Sequence, residues 1–136
     1  PMLPDGHLHL ERLAHWLDED TRVVAMTQAS NGLGTLQRLE EAIALVRERA
    51  PRAWVVIDAV HGAPHAPIDL IDLGADALAF STYKLFGPHA GVLWLSPTLA
   101  ETVQPYRVLP HQDPETLMEW GTLNNAGVAA ITAALE

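Results

Sequence analysis

Four short apolar runs constrain this chain more than any other feature: RVVAM at 22–26, AWVVI at 53–57, ALAF at 77–80 and GVLWL at 91–95. Each is too short for a stable helix, is rich in β-branched or bulky residues, and is bounded by polar or helix-patterned sequence, so each reads as a buried strand. Their residues are apolar throughout rather than alternating with polar ones. That pattern predicts a sheet covered by helices on both faces. Between the first two runs, residues 36–50 place Leu36, Leu39, Ile43, Val46 and Ala50 on one face, with Glu40, Glu41, Arg47 and Glu48 off it. This is the firmest helix in the chain. A shorter amphipathic helix is predicted at 8–17, a helical turn at 68–73 and an alanine-rich helix at 124–135, while TQASNGLGT at 27–35 reads as a loop. Strands alternating with helices predict an α/β fold: a three-layer, mainly parallel sheet with right-handed crossovers. No repeat or linker divides residues 1–136. They read as a single fragment of a larger domain, because the pattern starts and stops within the alternation.

Composition narrows the partners. Eight basic residues stand against 17 acidic ones, a formal charge of −9. That balance argues against nucleic acid or an anionic membrane, both of which require Lys/Arg patches. The absence of cysteine removes disulfides, thiolate metal sites and a cysteine nucleophile from these 136 residues. No apolar run approaches the roughly 20 residues of a membrane span, and no basic-then-apolar leader opens the chain. A soluble, cytoplasmic protein is the expectation. No metal site is predicted: His7, His9 and His15 are not spaced to share one helical face.

The chain holds a single lysine, Lys84, beside Tyr83 and just after the third apolar run. In open α/β sheets ligands bind beyond the carboxyl ends of the strands. Three of those ends carry polar residues that packing does not explain: Thr27-Gln-Ala-Ser-Asn31, Asp58-Ala-Val-His61 and Ser81-Thr-Tyr-Lys84. Neighbouring parallel strands would bring them to one crevice. A partly desolvated lysine has a lowered pKa, so its amine attacks a carbonyl to form a Schiff base. A carboxylate nearby pairs with a protonated pyridine nitrogen, and the ring then acts as an electron sink. Hydroxyls such as those of Ser81 and Tyr83 hydrogen-bond a phosphate. Together these groups describe a site for pyridoxal 5'-phosphate. Blander readings stand beside it: a turn lysine at 84, a strand-end aspartate starting a turn at 58, a loop histidine at 61, and structural roles for His65 and His89 beside their prolines. Trp54 and Trp94 are expected in the core, and Gly91 is expected to permit close backbone approach. A nucleotide site on Asn31-Gly-Leu-Gly34 is disfavoured, since that turn lacks G-x-G-x-x-G and a P-loop lysine.

The segments MTQASNGLGT, VVIDAVHGAPHAPIDL, ADALAFSTYKLFGPHAGVLWL and EWGTLNNAG resemble, in order and separation, the class V aminotransferases and among them the cysteine-desulfurase-like branch. The resemblance implies part of the large domain of a fold-type-I pyridoxal-phosphate transferase, without the first part of that domain or the C-terminal small domain. It implies that Lys84 is the Schiff-base lysine, acting afterwards as general base and acid at the α-carbon of an amino-acid substrate. By the same resemblance Asp58 holds the pyridine nitrogen and His61 lies beside the cofactor's phenolic oxygen. Ser81 and Tyr83 bind phosphate, Asn31 lies near cofactor and substrate carboxylate, and Thr122 reaches the phosphate of the partner subunit. That last match implies a homodimer with shared active sites. Gln28 stands where the family usually has His, and Val60 where it has Ala. The rival reading is a catalytically inactive domain of this fold with a binding or regulatory role.

Overall fold

The structure is a computed structural model that describes residues 1–106, 118–119 and 121–136. Among these residues four strands form one sheet in the order β1-β2-β3-β4, where β1 is Val23–Thr27, β2 Trp54–Asp58, β3 Ala77–Ser81 and β4 Gly91–Leu95. The first three strands are parallel and the fourth is antiparallel to β3. Only nine residues separate β3 from β4, too few for the crossover that a parallel return requires. The strands therefore match the four apolar runs to within a residue or two.

Helix α1 (Leu10–Trp16) precedes β1, α2 (Leu39–Arg49) connects β1 to β2, α3 (Leu70–Leu73) lies between β2 and β3, and α4 (Pro97–Thr102) and α5 (Asn125–Leu135) follow β4. Helix α2 begins three residues later than its periodicity suggests. Leu36 pairs with Ala29 in an isolated bridge, and the Gln37 N–H donates to the Gln28 carbonyl, so both residues are committed to the loop. Helix α3 is capped by the Asp69 carboxylate, which accepts from the N–H groups of Ile71 and Asp72. The sequence reading passed over α4, although Ser96 and Pro97 carry its signature: the Ser96 hydroxyl accepts from Leu99 N, and proline occupies the first turn.

Burial alternates along β1 and β2, contrary to the two-sided pattern expected. Val24, Met26, Val55, Ile57 and Leu78 are buried beneath Leu13 of α1 and Leu39, Ile43 and Val46 of α2. Each such side chain contributes roughly 1.5–3 kcal/mol when fully buried. On the other face, in register across β1 and β2, Val23, Ala25 and Thr27 are exposed and Trp54 and Val56 are half-buried. Trp94 packs against the core as expected, but Trp54 lies on this second face. Apolar composition alone did not distinguish a face covered within these residues from one left open among them.

A polar tie anchors the start of β2 and β3. Asp76 Oδ2 accepts from Arg47 Nη2 at 2.7 Å and from the Val55 N–H at 2.7 Å. Arg47 also donates to the carbonyls of Ala53 and Gly74. The Asp76 side chain is 14% exposed, so its removal strands a guanidinium and a backbone donor. Asp76→Ala is expected to lower stability by about 2–3 kcal/mol, read as a lower urea midpoint at unchanged slope. Asp76→Asn keeps an acceptor for Val55 and should lose less.

Candidate functional site

Register places the strand ends together. Thr27 pairs with Asp58, and Asp58 with Ala79, on one face of the sheet. Ser81 lies two residues beyond Ala79 on that same face. Beyond these ends lies a cleft of about 330 Å³ lined by Thr27, Ala29, Ser30, Asn31, Asp58, Val60, His61 and Lys84, with Met2 and Gln37.

Lys84 reaches the cleft from a 3₁₀ turn, Thr82–Leu85, that follows β3 directly. Phe86 ends the turn in the left-handed conformation at φ 63°. Lys84 Nζ lies 3.1 Å from His61 Nδ1. A protonated amine donates there only to an imidazole whose own proton is on Nε2; a neutral amine accepts from Nδ1–H instead. Either way one proton is shared between the two groups. Asp58 is held from its own loop, where the Val60 N–H donates to Oδ1 at 2.9 Å. The second carboxylate oxygen is not used by that bond.

Asn31, Asp58, His61 and Lys84 thus share one cleft, as their sequence positions suggested. Tyr83 does not line it; its ring stacks on His89 and is 45% exposed. Thr122 lines a different cleft, of about 300 Å³, together with Gly91 and Asn124. Trp120, within the EWGTLNNAG segment, lies outside the described residues. A Cβ built on Gly91 would meet only open space, contrary to the close approach expected there.

Gln28 departs from its expected place in the crevice. Side chains alternate along an extended chain, so Thr27 faces the cleft and Gln28 turns to the helix side. It is only 6% exposed there, and its Oε1 has no partner among the described residues. The amide packs against Gly62, where an added Cβ would collide with the Gln28 Cδ and Oε1 atoms. A side chain at 62 would displace the Gln28 amide from this position, so the two residues are packed together beside the turn carrying His61.

Met2 and Gln37 escaped the sequence reading. Gln37 accepts from Leu8 N at 2.8 Å and donates to the Gly6 carbonyl at 2.9 Å, which ties the N-terminal segment to the β1–α2 loop. Within that segment the His7 N–H donates to Asp5 and holds its carboxyl below the usual range. No local motif announces a contact spanning some thirty residues.

The fold and the cleft define a class: an α/β domain whose amine, imidazole and carboxylate meet beyond the carboxyl ends of parallel strands. More particularly, the chain belongs to the aminotransferase class-V family, whose model matches residues 1–136. It is 44% identical over 102 residues to a probable cysteine desulfurase of Pseudomonas aeruginosa, which covers 74% of this chain and 25% of the relative. It is 35% identical to a cysteine desulfurase of Escherichia coli, over 100% of this chain and 36% of the relative. Among solved structures, an Escherichia coli cysteine desulfurase superposes with a TM-score of 0.81 at 32% identity, over 93% of this chain and 35% of that one. The apo cysteine desulfurase of Thermococcus onnurineus gives 0.85 at 26% identity, over 96% and 36%. The chain therefore spans between a quarter and little more than a third of the relatives it matches. No helix among the described residues is long and apolar enough to cross a membrane.

Proposed function

We propose that these residues form the cofactor-anchoring part of a pyridoxal-phosphate enzyme of the cysteine-desulfurase-like branch, acting on an amino acid. The observation that carries this is the Lys84–His61 pair at 3.1 Å in a cleft also lined by Asp58, at the ends of parallel strands. The donor set fits the cofactor: an amine for covalent attachment, a carboxylate with one oxygen unbonded among the described residues, and an imidazole sharing the amine's proton. When bound, pyridoxal phosphate supplies a sink for the electron pair left at the substrate's α-carbon.

The chain's own residues divide the remaining work. Lys84 is the covalent anchor and, once released, takes a proton from the α-carbon and returns one. His61, within hydrogen-bond distance of Nζ, exchanges that proton and orients the amine. Asp58, fixed through Val60, accepts a hydrogen bond from the protonated pyridine nitrogen. By the family resemblance Ser81 and Tyr83, at the end of β3 and outside the cleft's lining, would donate to the phosphate, and Asn31, which does line the cleft, would lie by the substrate carboxylate. Thr122, which lines a separate cleft, serves the site of a second copy; this is the homodimer with shared sites. Cysteine is the favoured substrate because the named relatives are desulfurases.

The test is covalent. Pyridoxal phosphate added to the intact protein should give a yellow absorbance that borohydride bleaches, and peptide mapping should then find the label on Lys84. A colourless protein, or a label elsewhere, would defeat the proposal.

A further inference from the structure

His89 is adjacent to the lysine loop but belongs to no part of the cleft. Its imidazole stacks on the Tyr83 ring with centroids 4.9 Å apart and planes within 10°. That separation lies in the range of productive aromatic pairs. Both rings are exposed, so burial does not force them together.

What holds them is the backbone beneath. Thr82, only 1% exposed, immediately precedes Tyr83. Its hydroxyl lies 2.6 Å from the Pro88 carbonyl and 3.1 Å from the Ala90 carbonyl, the two that flank His89. The Thr82 N–H donates to Ala90 O at 3.0 Å, and the Gly87 N–H donates to Thr82 O at 2.9 Å. One buried threonine therefore clamps the chain on either side of His89 while directing the residue that follows it. The stack engages the face of the tyrosine ring rather than its hydroxyl edge. Lys84 Nζ, 6.0 Å from the same ring centroid, places the amine beside it.

We propose that His89 is a positioning residue. It holds the Tyr83 ring by stacking, so that the orientation of the phenol is fixed before the cofactor arrives. Without the imidazole an exposed tyrosine ring samples several rotamers, and ordering it on binding costs affinity. The inference rests on the pyridoxal-phosphate reading above and deepens it. It predicts an effect confined to ligands that carry the phosphate.

The experiment compares pyridoxal 5'-phosphate with pyridoxal, which keeps the aldehyde and ring but lacks the phosphate, by absorbance titration of the intact protein. His89→Ala should weaken pyridoxal 5'-phosphate uptake about fivefold, within the range for losing an aromatic pair, and leave pyridoxal uptake unchanged. His89→Phe, which keeps a stacking face without the imidazole, should restore it. In a Tyr83→Phe background His89→Ala should cost nothing further. Equal weakening of both aldehydes would mean a merely structural role and overturn the inference. So would unchanged affinity in His89→Ala, or failure of His89→Phe to restore it. If His89→Ala does not fold by circular dichroism, His89→Gln removes the ring in its place, with the same outcomes deciding. A wild-type protein that takes up neither aldehyde refutes the functional reading itself; one that takes up both, with His89 irrelevant, refutes only the inference.

Discussion

Lys84→Ala should abolish the borohydride-sensitive absorbance and lower turnover by at least about 10⁴-fold, since covalent attachment and proton transfer at the α-carbon would be lost together. The chain contains no other lysine, so no neighbouring amine within it can substitute. His61 would keep its place in the cleft but lose the amine 3.1 Å from its Nδ1. Lys84→Arg tests the same point without removing charge, because a guanidinium stays protonated and cannot attack a carbonyl. Both variants should retain the fold, since Lys84 is only half-buried and the turn around it is held by Thr82. The measurements are single-turnover rates and the absorbance of the purified proteins with cofactor added. A Lys84→Ala protein that keeps both the bleachable absorbance and its rate would refute the assignment.

Asp58→Asn should cost roughly 10²–10³-fold in turnover, comparable to losing one preorganised electrostatic contact to developing charge. The substitution is isosteric and informative because of the Val60 bond. The new amide oxygen can still accept from Val60 N, as Asp58 Oδ1 does at 2.9 Å. What then faces the cleft is an NH₂ group, a donor where the protonated pyridine nitrogen needs an acceptor. Thermal stability should change little, while the absorbance band shifts and turnover falls. An Asp58→Asn protein with full activity would show that this carboxylate does not address the ring.

Much of the candidate site was legible because its residues lie at strand ends or within four positions past them. Strand periodicity locates those ends, and the parallel register of β1, β2 and β3 then brings them side by side. Gln28 shows the limit of that reasoning. It belongs to the same polar stretch as Thr27 and Asn31, yet alternation along the extended chain buries it against Gly62. Met2 was illegible, since the N-terminal segment that carries it is tied to the β1–α2 loop across some thirty residues, by Gln37 and by Thr35. The Tyr83–His89 stack was hidden likewise: its cause is a threonine hydroxyl bonding to carbonyls six and eight residues away.

Local chemistry in the chain was sufficient to determine the four strands and the helices other than α4, that β1, α2 and β2 form a βαβ unit, and which strand termini bear reactive groups. These follow from residue size, branching and periodicity, all of which act over a few positions. The face of the sheet left open among these residues and the pairing of Lys84 with His61 were decided only by tertiary structure. Each depends on which distant backbone groups meet, and side-chain patterning along a single strand carries no information about that.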